Sequence, residues 1–248
     1  MDPDSPRPHL SRISTPWTLV RLAHAGPEAD AASAQRLLLQ RYCGVVYRYL
    51  RGALHDEEAA LDLFQEFVLR FLRGDFRRAD PAAGRFRDYL RTALIHLVTD
   101  HHRERLARPQ PLPADVARRA VPPDDGADTE AAFLRSWREE LVNRAWEALA
   151  RAKPGYHAVL VYHVENPEVP SPRMAGPLAA RLGKPLTAAH VRVLLQRARD
   201  KFAELLLDEV AHSLGTCTEA ELVQELRALH LLTLCAPALE RRKGRSSG

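Results

Sequence analysis

The 248-residue chain is short of several things, and each shortage narrows what it can be. Cysteine occurs three times, as Cys43, Cys217 and Cys235, widely spaced and with no Cys-x-x-Cys pair. An odd, scattered set argues against a disulfide framework or a zinc site, and the apolar neighbours of all three predict buried free thiols. Aromatic residues make up only 6% of the chain. An aromatic-poor, Ala/Leu/Arg-rich sequence favours helices over sheets. No apolar run approaches the length of a membrane span, and the N-terminus lacks the charged-then-apolar order of a signal peptide. A soluble, cytoplasmic protein without membrane insertion is therefore expected. Glycine loops for phosphate and nucleophile motifs are missing as well, so no enzyme chemistry, catalytic residue, cofactor or metal is predicted. Lysine is confined to Lys153, Lys184, Lys201 and Lys243, so arginine carries nearly all the positive charge behind a sequence pI of about 9.1. Arginine forks suit phosphates and guanine edges better than lysine does, although a GC-rich genome produces the same bias.

What is present is helical periodicity, interrupted in a regular way. Residues 1–34 form a Pro-rich, polar N-terminal extension with a short apolar patch at Pro16–Leu22. Helical pattern runs from about Ala34 through Leu37, Leu38, Tyr42, Val45, Val46 and Tyr49. The turn His55-Asp56-Glu57-Glu58 starts a second helix with acids near its positive end, and that helix stops at about Gly74. A loop from Asp75 to Gly84 leads into a long helix over roughly Phe86–Arg105. Residues 107–128, with Pro109, Pro111, Pro113, Pro122 and Pro123 and then Asp124, Asp125 and Asp128, read as a flexible linker. Helical pattern resumes near Thr129 and continues to about Arg151, followed by a short apolar helix at Tyr156–Val164 and a Pro-rich stretch, Asn166–Pro172. A small helix then ends at Gly183, and Thr187 is placed to cap a helix running from Ala188 to about Ser213. No internal repeat and no convincing strand is found. The expected fold is all-α: two small helical domains, 35–106 and 129–214, joined by the linker and followed by a helical tail over 215–248.

Two of these helices carry outward polar rows. In the first, Leu61, Phe64, Val68, Phe71 and Leu72 fall on one apolar stripe, while Asp62, Gln65, Glu66, Arg70 and Arg73 fall away from it. Spacing alone fits a solvated surface helix. In the second, Val191, Leu194, Leu195, Ala198, Phe202 and Leu205 form a core stripe, and Arg192, Gln196 and Arg199 share the opposite face, with Arg197 and Lys201 beside them. A short helix, a Gly-containing turn and a second helix with such a row has the geometry that enters a DNA major groove. A solvated basic face is the competing interpretation, and Val193 sits where a DNA-reading helix is often polar.

The wording around Asp62-Leu63-Phe64-Gln65-Glu66 and Arg70 resembles the signature helix of bacterial extracytoplasmic-function (ECF) sigma factors, which docks on core RNA polymerase. The resemblance continues in order along the chain, over about Leu37–Val210. Phe86–Arg105 is similar to the family helix that melts and reads the −10 element, with Tyr89 at the place of a usual Trp, His96 at that of a usual Asn, and Asp100 and Arg103 kept. The preceding loop corresponds to one that captures a flipped base, and Asp80, Ala82, Ala83 and Gly84 could supply a small polar-edged pocket there. Ala179–Phe202 is similar to the family's C-terminal helix-turn-helix for the −35 element, keeping Arg192, Arg197, Ala198 and Arg199 but with a longer turn between Gly183 and Val191. The resemblance thus implies a sigma factor that directs promoter-specific initiation. Asp62, Gln65, Glu66 and Arg70 would meet polymerase. Asp80, Tyr89, His96, Asp100 and Arg103 would meet the melted −10 strand. Thr187, His190, Arg192, Gln196, Arg197, Arg199 and Lys201 would meet double-stranded −35 DNA.

Two other interpretations stay open at this stage. A sigma-like protein could bind polymerase or another partner without recognising a promoter. His96, Asp100, His101 and His102 on one helix also suggest a helical metal-dependent phosphohydrolase, but no second His/Asp cluster completes a ligand shell. The tail Thr218–Cys235 reads as one amphipathic helix, with Leu222, Leu226, Leu229 and Leu232–Leu234 on its apolar side. An isolated helix of that length is marginal in water. The tail therefore needs a surface to cover, which leaves self-inhibition by the tail, docking of an anti-sigma factor, or a place in the second domain's core.

Overall fold

The computed structural model describes residues 15–75, 84–107 and 126–246, and among them the elements are α-helices joined by short turns. Contacts divide the chain into two compact units, Met1–Glu140 with His212–Cys217, and Leu141–Ala211 with Thr218–Gly248.

In the first unit, α1 (Pro16–Ala25) begins at Thr15, whose side chain accepts a hydrogen bond from the Thr18 amide at 3.2 Å, with Pro16 in the first turn. Pro at this position loses no hydrogen bond, because that amide would be unpaired in any case. Leu19, Val20 and Ala23 of α1 are buried. The apolar patch of the N-terminal extension is thus a helix packed against α2 (Glu28–Leu54). α2 supplies Leu38, Tyr42, Val45, Val46, Tyr49 and Leu50 to the core. α3 (Glu57–Arg73) starts where Asp56 accepts from the amides of Glu58 and Ala59 (3.1 and 3.2 Å) and ends at Gly74 in the left-handed conformation. These are an acidic N-cap and a glycine C-cap, each satisfying backbone groups the helix cannot pair internally. α4 (Phe86–Ala107) buries Phe86, Leu90, Leu94 and Leu97.

The second helical domain was expected to begin at 129, but the front of α5 (Gly126–Ala152), as far as Glu140, belongs to the first unit. The reason is aromatic packing. Trp137 stacks on Tyr42 with ring centroids 5.4 Å apart, and Phe133 meets Tyr49 edge-on at 5.7 Å. Arg48 adds bonds to the Ser136 carbonyl at 3.3 Å and the Glu140 carboxylate at 2.5 Å, and Arg91 pairs with Glu130. Most of the linker expected over 107–128 lies outside the described residues; the partner of the helix after it depended on side chains distant in sequence.

In the second unit, the rear of α5 contributes Leu141, Ala145 and Leu149 to a core shared with α6 (Pro154–Glu165), α7 (Ser171–Leu182) and α8 (Ala188–Leu214). Gly183 ends α7 with φ of 64°, and Thr187 caps α8 by accepting from the His190 amide at 3.2 Å. Trp146 packs on Phe202 at 4.8 Å. The tail is not the single helix expected. It forms α9 (Glu219–Ala228), opened by a reciprocal capping box between Thr218 and Glu221, and α10 (Leu232–Ser246), with His230 in the left-handed conformation between them. The break lets Leu222, Leu226, Leu229, Leu231, Cys235, Ala238 and Leu239 all be buried, while Leu234 is exposed and Leu232 only half-buried. A straight helix over 218–235 could not put all of these on one side. None of the three cysteines is in a disulfide; Cys235 is buried, whereas Cys43 and Cys217 are only half-buried.

Candidate functional site

α3 carries the first candidate face. Its buried positions are Ala60, Leu63, Phe67 and Phe71, which turns the helix by roughly a quarter turn from the stripe expected from sequence. Leu61 and Leu72, expected on the core side, are instead 47% and 46% exposed, and Leu69 is 50% exposed; Phe64 and Val68 lie at the margin of the buried side. At 100° per residue, Leu61, Leu72, Gln65, Leu69, Asp62 and Glu66 follow one another around a single exposed arc. Asp62 and Gln65 are exposed, and Asp62 has no ion-pair partner among the described residues. Glu66 and Arg70 pair with each other one turn apart. Isolated surface leucines are ordinary, but three on one arc with an acid and an amide make an apolar patch with polar edges, the anatomy of a protein-docking surface.

α4 carries the second. Tyr89, His96, Asp100 and Arg103 lie within about 60° of one another around the helix axis, so the structure brings these four expected residues onto one face. His96 and Arg103 are exposed, Asp100 and Arg103 approach to 3.6 Å, and His101 and His102 meet edge-on at 5.9 Å. Burial lowers the pKa of His102, helped by the charges of His101 and Arg105. Among the described residues, no three His, Cys, Asp or Glu side chains are grouped as metal ligands would be. Asp80 lies outside the described residues.

Sequence reasoning missed Trp17. Its indole N–H donates to the Gly84 carbonyl at 3.1 Å, and its ring meets Phe86 edge-on and Tyr89 at a tilt, both at 5.5 Å. α1 thereby fixes the residue at the start of α4 and half-buries Tyr89, whose hydroxyl pKa is raised by that burial. The Thr15-Pro16 start signal for α1 was legible in the sequence; its partner was not.

On α8 the expected residues divide between two flanks. Arg192, Gln196 and Arg199 are exposed on one, and His190, Arg197 and Lys201 lie on the other, with exposed Val193 between them. Several are already engaged. Arg199 donates to His163 Nε2 of α6 at 2.7 Å, Lys201 pairs with Glu204 at 3.2 Å, and the Thr187 hydroxyl is the helix cap. Arg192 and Arg197 form no ion pair among the described residues. A hydrogen bond to a side chain 36 positions earlier carries no local signal, so the engagement of Arg199 could not be read from the sequence.

No helix among the described residues is long and apolar enough to cross a membrane. No curated protein and no solved structure shows a match to this chain. Residues 38–108, which hold the α3 and α4 faces, match the family model of sigma-70 region 2.

Proposed function

We propose that the chain is an ECF-type sigma factor that binds core RNA polymerase in the cytoplasm and directs it to promoters through −10 and −35 contacts, without catalysing a covalent step itself. The exposed arc of α3 carries the reading, because it combines three half-exposed leucines with Asp62, Gln65 and Glu66 inside the matched segment. In this reading the leucines drive docking through apolar burial, and the acid and amide fix register and partner choice at the rim. The α4 row, Tyr89, His96, Asp100 and Arg103, meets the melted −10 strand; Tyr89 offers a stacking surface and Arg103 a phosphate contact. α7, its turn and α8 act as a helix-turn-helix on −35 DNA, with Arg192 and Gln196 toward base edges and Arg197 and Lys201 toward phosphates.

Promoter-dependent transcription with purified core enzyme tests the reading. Addition of the chain should produce transcripts of defined start from a promoter pool that core enzyme alone does not initiate. Binding to core without such transcripts would favour the narrower role of a polymerase-binding protein that recognises no promoter.

A further inference from the structure

Arg192, Gln196, Asp200, Glu204 and Asp208 follow one another at four-residue spacing along α8, so a single slowly winding row changes from cationic and polar at its front to acidic at its rear. The acids do not stand alone. Arg241 of α10 reaches Asp200 Oδ1 at 3.2 Å and its backbone carbonyl at 3.5 Å, and its Nε lies 3.5 Å from Glu204. Arg242 lies 3.7 Å from Asp208. Lys243 is held by Glu219 at 2.9 Å and Glu240 at 3.2 Å, while Arg241 and Arg242 reach the acidic row. α10 is seated by Leu231, Cys235, Ala238 and Leu239, all buried, which brings its basic end to α8 in a defined register.

A half-exposed carboxylate one turn beyond Gln196 would repel a phosphate backbone lying along this helix, and each uncompensated charge weakens binding most at low salt. We propose that α10 is a built-in electrostatic mask for DNA binding, with Arg241 a positioning residue that neutralises Asp200 beside the DNA-reading row. The proposal rests on the reading of α8 as a DNA-binding helix. It assigns the tail a role in permitting contact with DNA, opposite in sign to self-inhibition.

The test uses the full-length chain and a duplex selected by that chain from a randomised pool, with affinity measured across a salt series. Arg241→Gln should weaken binding by roughly threefold to tenfold at low salt, with the deficit shrinking as salt rises. Asp200→Asn in the same chain should restore the affinity although the ion pair is still absent, and Arg241→Lys should restore most of it. A merely structural pair would give a different pattern: Arg241→Gln and the double variant would melt alike and bind equally weakly. That result, unchanged binding by Arg241→Gln, or tighter binding by it would each overturn the proposal, the last in favour of a tail that blocks DNA. A parent chain that enriches no sequence and binds no duplex would overturn the DNA reading of α8 and this proposal together, whereas failure confined to the variants removes this proposal alone.

Discussion

The outward faces of α3 and α8 are both rows of polar residues on long helices, yet they differ in what lies between the polar groups. On α3, half-exposed leucines alternate with Asp62, Gln65 and Glu66. On α8 only Val193 among the large apolar residues is exposed, and the front of the helix carries the cations Arg192, Arg197, Arg199 and Lys201, with Arg199 and Asp200 tied to neighbouring helices. An apolar centre with polar edges suits a protein surface, because burying the leucines supplies most of the driving force. Dispersed cations suit a polyanion, whose binding comes mainly from phosphate neutralisation. Polar periodicity alone would have put the two faces in one class; the exposure of the residues between the polar ones separates them.

The two helices also differ in what supports them. The unit that holds α8 also buries residues of α9 and α10, whereas α3 packs on α2 and α4, with Phe71 against His24 of α1. Truncation after Cys217 removes Leu222, Leu226, Leu229, Leu231, Cys235 and Leu239, all buried. Losing several such side chains, each worth about 2 kcal/mol on burial, should unfold the second unit while core-polymerase binding through α3 survives. Circular dichroism melting with a parallel core-binding measurement checks this, and an undiminished second transition would make the tail a separable appendage. Cys235 gives a milder probe of the same point. Burial pushes its thiol up to about 11, so at neutral pH it should resist alkylation in the folded chain and react only on unfolding.

Next in size is the apolar patch itself. Leu69→Asp should weaken binding to core polymerase by about 2–4 kcal/mol, the range of an interface hot spot, with little change in melting because the site is exposed. A drop in melting temperature matching the loss of binding would mean that the patch belongs to the fold rather than to a partner. Smaller effects are expected on α8. Arg192→Ala should cost about 1–3 kcal/mol and relax preference at one base position in a selected −35 duplex. Arg197→Ala should lower affinity evenly across sequences and reduce the salt slope by about one. If the two substitutions behaved alike, the division of α8 into a base-reading and a phosphate-contacting flank would fail.

Helix ends were legible in the sequence because their chemistry is local. Asp56 and Gly74 bound α3, Thr187 opens α8 and Thr218 opens α9, each through contacts within four residues or by a glycine conformation. The rotation of α3 was not legible. Leu61, Leu63, Phe64, Phe67, Val68, Leu69, Phe71 and Leu72 surround so much of the helix that two overlapping apolar stripes fit its period, and only the surfaces of α2 and α4 choose between them. The same limit explains Trp137, whose stacking partner Tyr42 lies far back in the chain, and Trp17, which fixes Gly84. It explains the tail as well, where a left-handed residue at His230 turns one expected helix into two. For the candidate site, the motif around Asp62 pointed to α3 and its polar residues, but the exposure of Leu61, Leu69 and Leu72 became visible only with burial.

Quantitative binding of the full-length chain to core RNA polymerase, with Asp62→Ala/Glu66→Ala and Leu69→Asp variants in parallel, decides whether the α3 face docks on polymerase. The parent should bind saturably, with each variant weakened at least tenfold and its helical circular dichroism unchanged; equal binding by all three chains, or none by the parent, would rule that docking role out.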